Sequence, residues 1–178
     1  MDKLTEATEY YLMTLLNEVG DDPCRDGVID TPARLKKAMR FMLSGYKQDL
    51  HEIVGEAMFD VGENAGSSVQ VNGIEFYSLC EHHVLPFFGN VNVEYIPEIG
   101  KPVIGLSKIP RIVNMFARRL QIQERLTTQI GEAIKQITMS KSIRVEVTGK
   151  HLCCSMRGVE KQNVEMKTVF ETGKFLRI

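Results

Sequence analysis

The spacing of apolar positions divides the chain into helical and extended stretches. Over residues 3 to 18, Leu4, Ala7, Tyr11 and Leu15 recur at three- and four-residue steps, with Val19 continuing the row, which predicts an amphipathic helix. The turn-rich "GDDPCRDGVI" follows. In "DTPARLKKAMRFMLSGY", Asp30 or Thr31 can cap a second helix and Pro32 suits its first turn. Leu35, Ala38, Met39 and Met42 give that helix an apolar face, and Gly45 supplies a stop. "VGENAGSSVQ" predicts a loop. Beyond it the period changes. "SVQVNGIEFYSLC" and "FGNVNVEYIP" predict strands, with Val91, Val93 and Tyr95 on one side of the second. After the turn "EIGKP", one helix opens at Ser107 in "SKIPRIVNMFARRL". Another in "QERLTTQIGEAIKQI" keeps Leu126, Ile130, Ala133 and Ile137 roughly in register. "SIRVEVTGKHLCCSM" predicts a strand in which Ile143, Val145 and Val147 alternate with Arg144, Glu146 and Thr148, and "EMKTVFETGKF" can pair with it. Two strands, two helices and two strands predict an α+β fold, a mainly antiparallel sheet with helices on one face. The organisation is an N-terminal helical region, 1–60, and a second region, 61–178, making one functional domain overall.

Composition narrows the classes. The 178 residues suit one domain, and 43% hydrophobic with 25% charged residues is an ordinary globular balance. The net charge of −1 does not advertise nucleic-acid binding. No apolar run approaches the roughly 20 residues needed to span a bilayer. "MDKLTEATEYYL" reads as a mature, cytosolic start. In a reducing compartment, clustered cysteines point to metal binding or catalysis rather than to disulfides.

Three of the four histidines and three of the four cysteines fall into two short clusters. "CEHH" holds Cys80, His82 and His83, and "HLCC" holds His151, Cys153 and Cys154. Cys80 and His83 have a C-x-x-H spacing that can converge on one metal. On a regular strand, His151 and Cys153 share a face from which Cys154 points away. Two ligands from the first cluster and Cys153 from the second would make three, the number used by catalytic zinc, which keeps a fourth position for water. The bland reading is that these cysteines are core filler, and C-x-x-H alone is a weak signal. Cys24 reads as a bystander and His51 as a surface or helix-end residue. His82 and His151 remain as proton carriers beside the metal. On the residues alone, this predicts metal-assisted hydrolysis of an unspecified substrate.

Arg34 and Lys37 lie three apart on the second predicted helix, and Lys108 and Arg111 repeat that spacing at a helix start. With Arg157 these cations could hold a polyphosphate; on spacing alone a solvated helix face is the commoner explanation. Gln123 and Glu124 stand at another helix start, where Glu124 can favour the dipole or accept N–H groups from a guanine edge.

Taken together, "DTPARLKKAM", "YSLCEHHVLPFFG", "VEYIP", "VIGLSKIPRIV", "RRLQIQERLTTQI" and "HLCCSMRGVEKQN" resemble the GTP cyclohydrolase I family, in the family's order. The likeness covers roughly residues 5 to 163 and is dense from 77 to 163. It implies the tunnelling fold, with subunit strands forming an oligomeric barrel in a homodecamer of two pentamers. It also implies conversion of GTP to 7,8-dihydroneopterin triphosphate and formate. By resemblance, Cys80, His83 and Cys153 bind zinc; Cys153 is preferred to Cys154 because it stands four residues before Arg157. His82 and His151 match the catalytic histidines, and Glu124 with Gln123 matches the guanine-recognising position. Ser107, Lys108, Arg111, Arg157, Arg34 and Lys37 match the positions that hold the triphosphate. A feedback regulatory protein is a further partner the family suggests, and folate, tetrahydrobiopterin and deazaguanine routes share its reaction.

The tail departs from the family pattern. Where relatives carry a Ser/Thr-rich stretch, the sequence reads "VEMKTVFETGKFLRI", although Thr168, Gly173 and Phe175 align without a gap. This puts hydroxyl contacts from the region in question and supports one alternative, a catalytically impaired paralogue that binds GTP or a pterin.

Overall fold

A computed structural model describes residues 3–60, 62 and 67–175. The chain forms two compact units, Met1–Leu43 and Ser44–Ile178.

The first unit holds α1 (Lys3–Val19) and α2 (Thr31–Met42). Pro32 occupies the first turn of α2, where its missing N–H costs no hydrogen bond. Asp30 stands at the N-cap position but makes no side-chain cap bond; its carboxylate instead accepts from Arg34 Nη2 at 3.0 Å. The expected apolar row of α1 lies on its outer side, where Leu4, Tyr11, Leu15 and Val19 are exposed. Leu12 and Leu16 instead line a cavity with Pro23, Val28 and Pro32. The helix is apolar on more than one side, so periodicity identified the element but not its covered face. Cys24 is exposed.

The second unit opens with a 3₁₀ turn (Ser44–Lys47) and α3 (Leu50–Val54), neither long enough to show a period. Gly45 is not the stop of α2, which ends at Met42. It is a packing glycine: its N–H donates to Arg118 O at 3.0 Å, and a Cβ there would collide with the Met115 carbonyl. The sheet is built from β2 (Val69–Cys80), β3 (Pro86–Ile96), β5 (Leu120–Gln121), β6 (Ser142–His151) and β7 (Met166–Thr172), in the order β5-β2-β3-β6-β7. Pairing is antiparallel except between β2 and the two-residue β5. A separate two-stranded ladder joins β1 (Met58–Phe59) to β4 (Val103–Ile104). Strands of two residues carry no alternation, which is why the pattern missed all three short ones.

The long strands follow the expected alternation. Val91, Val93 and Tyr95 of β3 and Ile143, Val145 and Val147 of β6 are fully buried. They join one core with Ile109 and Ile112 of α4 (Lys108–Ala117) and Leu126, Ile130 and Ile134 of α5 (Gln123–Thr138). Each such side chain contributes about 1.5–3 kcal/mol by leaving water. The other face of the sheet is polar and ion-paired, with Arg144 to Glu171 at 3.1 Å and Lys167 to Glu146 at 2.8 Å.

The strand expected over 142–156 stops at His151. Leu152–Ser155 turns into a single helical turn, α6. The shared strand face of His151 and Cys153 therefore does not exist: Cys153 reaches its position from a helical turn.

Candidate active site

Cys80 is the last residue of β2, and the turn after it returns the chain to Pro86 at the start of β3. That turn is fastened at both ends. The Cys80 N–H donates to Leu85 O at 2.9 Å, and the Val84 N–H donates to Cys80 O at 2.8 Å. The Glu81 N–H donates to Gln121 O at 3.0 Å, joining the turn to β5. Val84 has φ 55, a left-handed conformation that a β-branched residue rarely adopts. Strain of this kind costs on the order of 1–3 kcal/mol and persists where surrounding bonds over-determine the backbone.

The turn delivers His83 Nδ1 to 3.6 Å from Cys80 Sγ, and α6 brings Cys153 Sγ to 4.0 Å from the same sulfur. The three ligand atoms lie within 4.8 Å of one another. With zinc–sulfur bonds near 2.3 Å and zinc–nitrogen bonds near 2.05 Å, tetrahedral coordination needs roughly 3.8 Å between two thiolates and roughly 3.6 Å from thiolate to imidazole. The observed separations match both. Burial, and then the neighbouring Cys80 thiol, push the Cys153 thiol up. A cation held between the two sulfurs would oppose that upward push, so the donor chemistry also fits a metal.

His82 is exposed, with Nδ1 3.9 Å from Cys80 Sγ. His151 lies opposite Phe87 in the β3–β6 ladder, and the two rings stack at 4.5 Å and 6°. Its Nε2 is 2.9 Å from Gln123 Oε1. Half-burial lowers its pKa, opposed by the charge of Glu124.

Gln123 and Glu124 open α5 but point to different environments. Gln123 is 1% exposed, whereas Glu124 is exposed. The next residue, Arg125, donates to both oxygens of Glu81 at 2.6 and 3.0 Å, clamping the metal turn to the start of α5. That pair holds Glu81 below the usual carboxylate range, first through the hydrogen bond itself. Neither partner stood out in the sequence; a carboxylate inside C-E-H-H and an arginine beside Glu124 were the available signal.

Ser107 occupies the N-cap position of α4 without a side-chain cap bond. Lys108 donates to Ile53 O at 2.8 Å and lines a cleft of about 290 Å³ with Arg111, Arg118 and Glu52. None of the metal-cluster residues lines that cleft. Arg157 is exposed just beyond α6. Arg34 and Lys37 are exposed on α2, in the first unit. His51 sits in α3, exposed, with Nε2 3.1 Å from Gln136 Nε2.

Two thiols and an imidazole converging on one point, with two more imidazoles close in sequence, form a group that could hold a metal ion through three ligands. The chain belongs to the GTP cyclohydrolase I family, whose profile matches residues 8–177. It is 51% identical to "GTP cyclohydrolase 1" of Leptospira biflexa, over 94% of this chain and 89% of that protein. Against the protein of the same name from Alkalilimnicola ehrlichii the identity is 51% over 97% and 91%, and against that from Campylobacter lari 48% over 98% and 90%. Among the described residues, no helix is long and apolar enough to cross a membrane.

Proposed function

We propose that this protein is a zinc-dependent GTP cyclohydrolase I. It opens the imidazole ring of GTP, releases formate and closes the remainder as 7,8-dihydroneopterin triphosphate. The observation that carries this reading is the Cys80–His83–Cys153 cluster, at separations suited to zinc, in a chain matched by the family over residues 8–177. Bound there, the ion supplies Lewis-acid activation of water at neutral pH.

The chain's own groups do the rest. Hydrolysis at C8 of guanine needs a proton taken from water and a proton given to a ring nitrogen; His82 and His151 are the groups assigned to those transfers. Glu124, exposed at the first turn of α5, accepts the N–H groups of the purine edge, with Gln123 supporting that position. Ser107, Lys108, Arg111, Arg157, Arg34 and Lys37 hold the triphosphate. Fixing both ends of GTP sets the reacting carbon over the metal, which contributes through lost translational freedom.

The protein works in the cytoplasm as a homodecamer of two pentamers, with pockets shared between neighbouring chains. Support comes from the cleft of Lys108 and Arg111, which lacks the metal residues, and from β7, which among the described residues pairs only with β6 and leaves an edge for strand addition.

The test is incubation of zinc-replete protein with GTP, following pterin absorbance and formate together. Both products should accumulate in equal amounts. Retained zinc and GTP binding without product would establish the impaired paralogue instead.

A further inference from the structure

We propose that Gln123 is a positioning residue which holds the His151 ring in one orientation, as its Nε2–H tautomer. The role in turnover rests on the reading of His151 as a proton carrier; the tautomer rests on hydrogen-bond geometry alone.

Gln123 Nε2 lies 3.1 Å from Val147 O, 2.8 Å from Met166 O and 3.2 Å from Thr168 Oγ1. Carbonyl oxygens only accept, so the amide NH₂ must face them and Oε1 must face His151. That oxygen also only accepts. The imidazole nitrogen 2.9 Å away must therefore carry the hydrogen.

The amide cannot turn over, because its other contacts form a closed ring. Thr127 Oγ1 donates to the Gln123 backbone oxygen at 2.7 Å and lies 2.6 Å from Thr168 Oγ1. With its proton committed, Thr127 accepts from Thr168, and Thr168 accepts from Gln123 Nε2. Reversing the amide would set its oxygen against the Val147 and Met166 carbonyls and turn its N–H groups away from them, a costly arrangement in a buried site. Residues from α5, β6 and β7 all contribute to this lock.

The seat also requires Gly149, the residue of β6 two before His151. A Cβ there would lie 2.7 Å from Gln123 Oε1, where only the bare backbone lets the oxygen reach the ring. Phe87 fixes the remaining freedom by stacking on the imidazole. The arrangement gives Thr168 of the unusual tail a definite task, since its hydroxyl completes the lock. It also separates neighbours in α5: Glu124 is exposed, while the Gln123 amide is spent inside the fold.

The experiment uses zinc-loaded protein with ¹⁵N-labelled histidine and reads the His151 ring nitrogens by NMR, alongside GTP kinetics. The wild type should show His151 protonated at Nε2. Gln123→Met should lose that single tautomer, keep its zinc and leave KM within about 3-fold, while kcat falls about 100-fold, the scale of a misplaced acid–base group. Gln123→Glu keeps an oxygen toward the ring but sets its second oxygen against the Val147 and Met166 carbonyls, so it should not restore kcat. Gly149→Ala, which crowds Oε1 without altering Gln123, should shift the ring in the same direction and serves if the Gln123 variants do not fold. A wild-type ring protonated at Nδ1 overturns the proposal whatever the turnover. So does a Gln123→Met protein whose defect lies in KM with the His151 tautomer unchanged. A wild type with the Nε2–H ring but no GTP turnover would overturn the proposed activity and leave the tautomer assignment intact.

Discussion

The two ends of the proposed GTP site are built differently. At the metal end, Cys80, His83 and Cys153 converge within a single chain, carried by a fastened turn and a helical turn on the sheet. At the phosphate end, Lys108 and Arg111 line a cleft that none of the metal ligands enters, Arg157 is exposed, and Arg34 is paired with Asp30. The contrast follows from distance tolerance. Metal coordination fails if a donor moves by a few tenths of an ångström, so one rigid scaffold must supply all three ligands. Attraction between a cation and a phosphate falls off slowly and tolerates long, flexible side chains, so it can be assembled from several elements or chains.

The largest effect should come from the end that tolerates least. Cys153→Ser should lose metal and abolish turnover, a loss of several kcal/mol of electrostatic stabilisation, on the order of 10³-fold or more in rate. Cys154→Ser should keep both. Metal analysis of the two purified variants separates them, and the opposite pattern would reassign the ligand.

Between the two ends, Glu124→Gln should retain metal and lower kcat/KM for GTP by about 10- to 100-fold, the worth of one charge-assisted hydrogen-bond pair. Unchanged kinetics would make Glu124 a helix-start residue only. At the phosphate end, Lys108→Ala should raise KM by about 10-fold with little change in kcat, and the wild-type KM should rise with salt as exposed charges are screened. A fall in kcat without a change in KM would place Lys108 among structural contacts, as its bond to Ile53 O already suggests in part.

The smallest effect should follow from unlocking the Glu81–Arg125 clamp that joins the metal turn to α5. Both groups are partly exposed, so Glu81→Gln should cost little stability. Metal content should be unchanged and kcat/KM should fall by a few fold. Restoration by the exchanged pair, Glu81→Arg with Arg125→Glu, would identify the clamp itself as the cause.

Legibility in the sequence tracks the same contrast. The long strands were readable because Val91, Val93 and Tyr95, and Ile143, Val145 and Val147, alternate without interruption over buried positions. The convergence of Cys80, His83 and Cys153 was readable because cysteine and histidine are few and fall into two tight clusters. The route by which Cys153 arrives was not, since a four-residue helical turn after β6 leaves no period to detect. The setting of Gln123 was hidden in a similar way. A polar residue at a helix start looks like surface or substrate contact, and only tertiary packing against Val147, Met166 and Thr168 reveals a buried amide. Gly149, small on the strand that carries His151, was the one local hint of close approach.

The coordination shell of the bound metal is the most direct test of the centre from which the chemistry follows. X-ray absorption at the zinc edge of the purified protein should show two sulfur neighbours near 2.3 Å and two nitrogen or oxygen neighbours at about 2.0–2.1 Å, one of them exchangeable solvent. A shell with three sulfurs, a shell closed by four protein ligands, or stoichiometric protein with no zinc edge after zinc loading would contradict it.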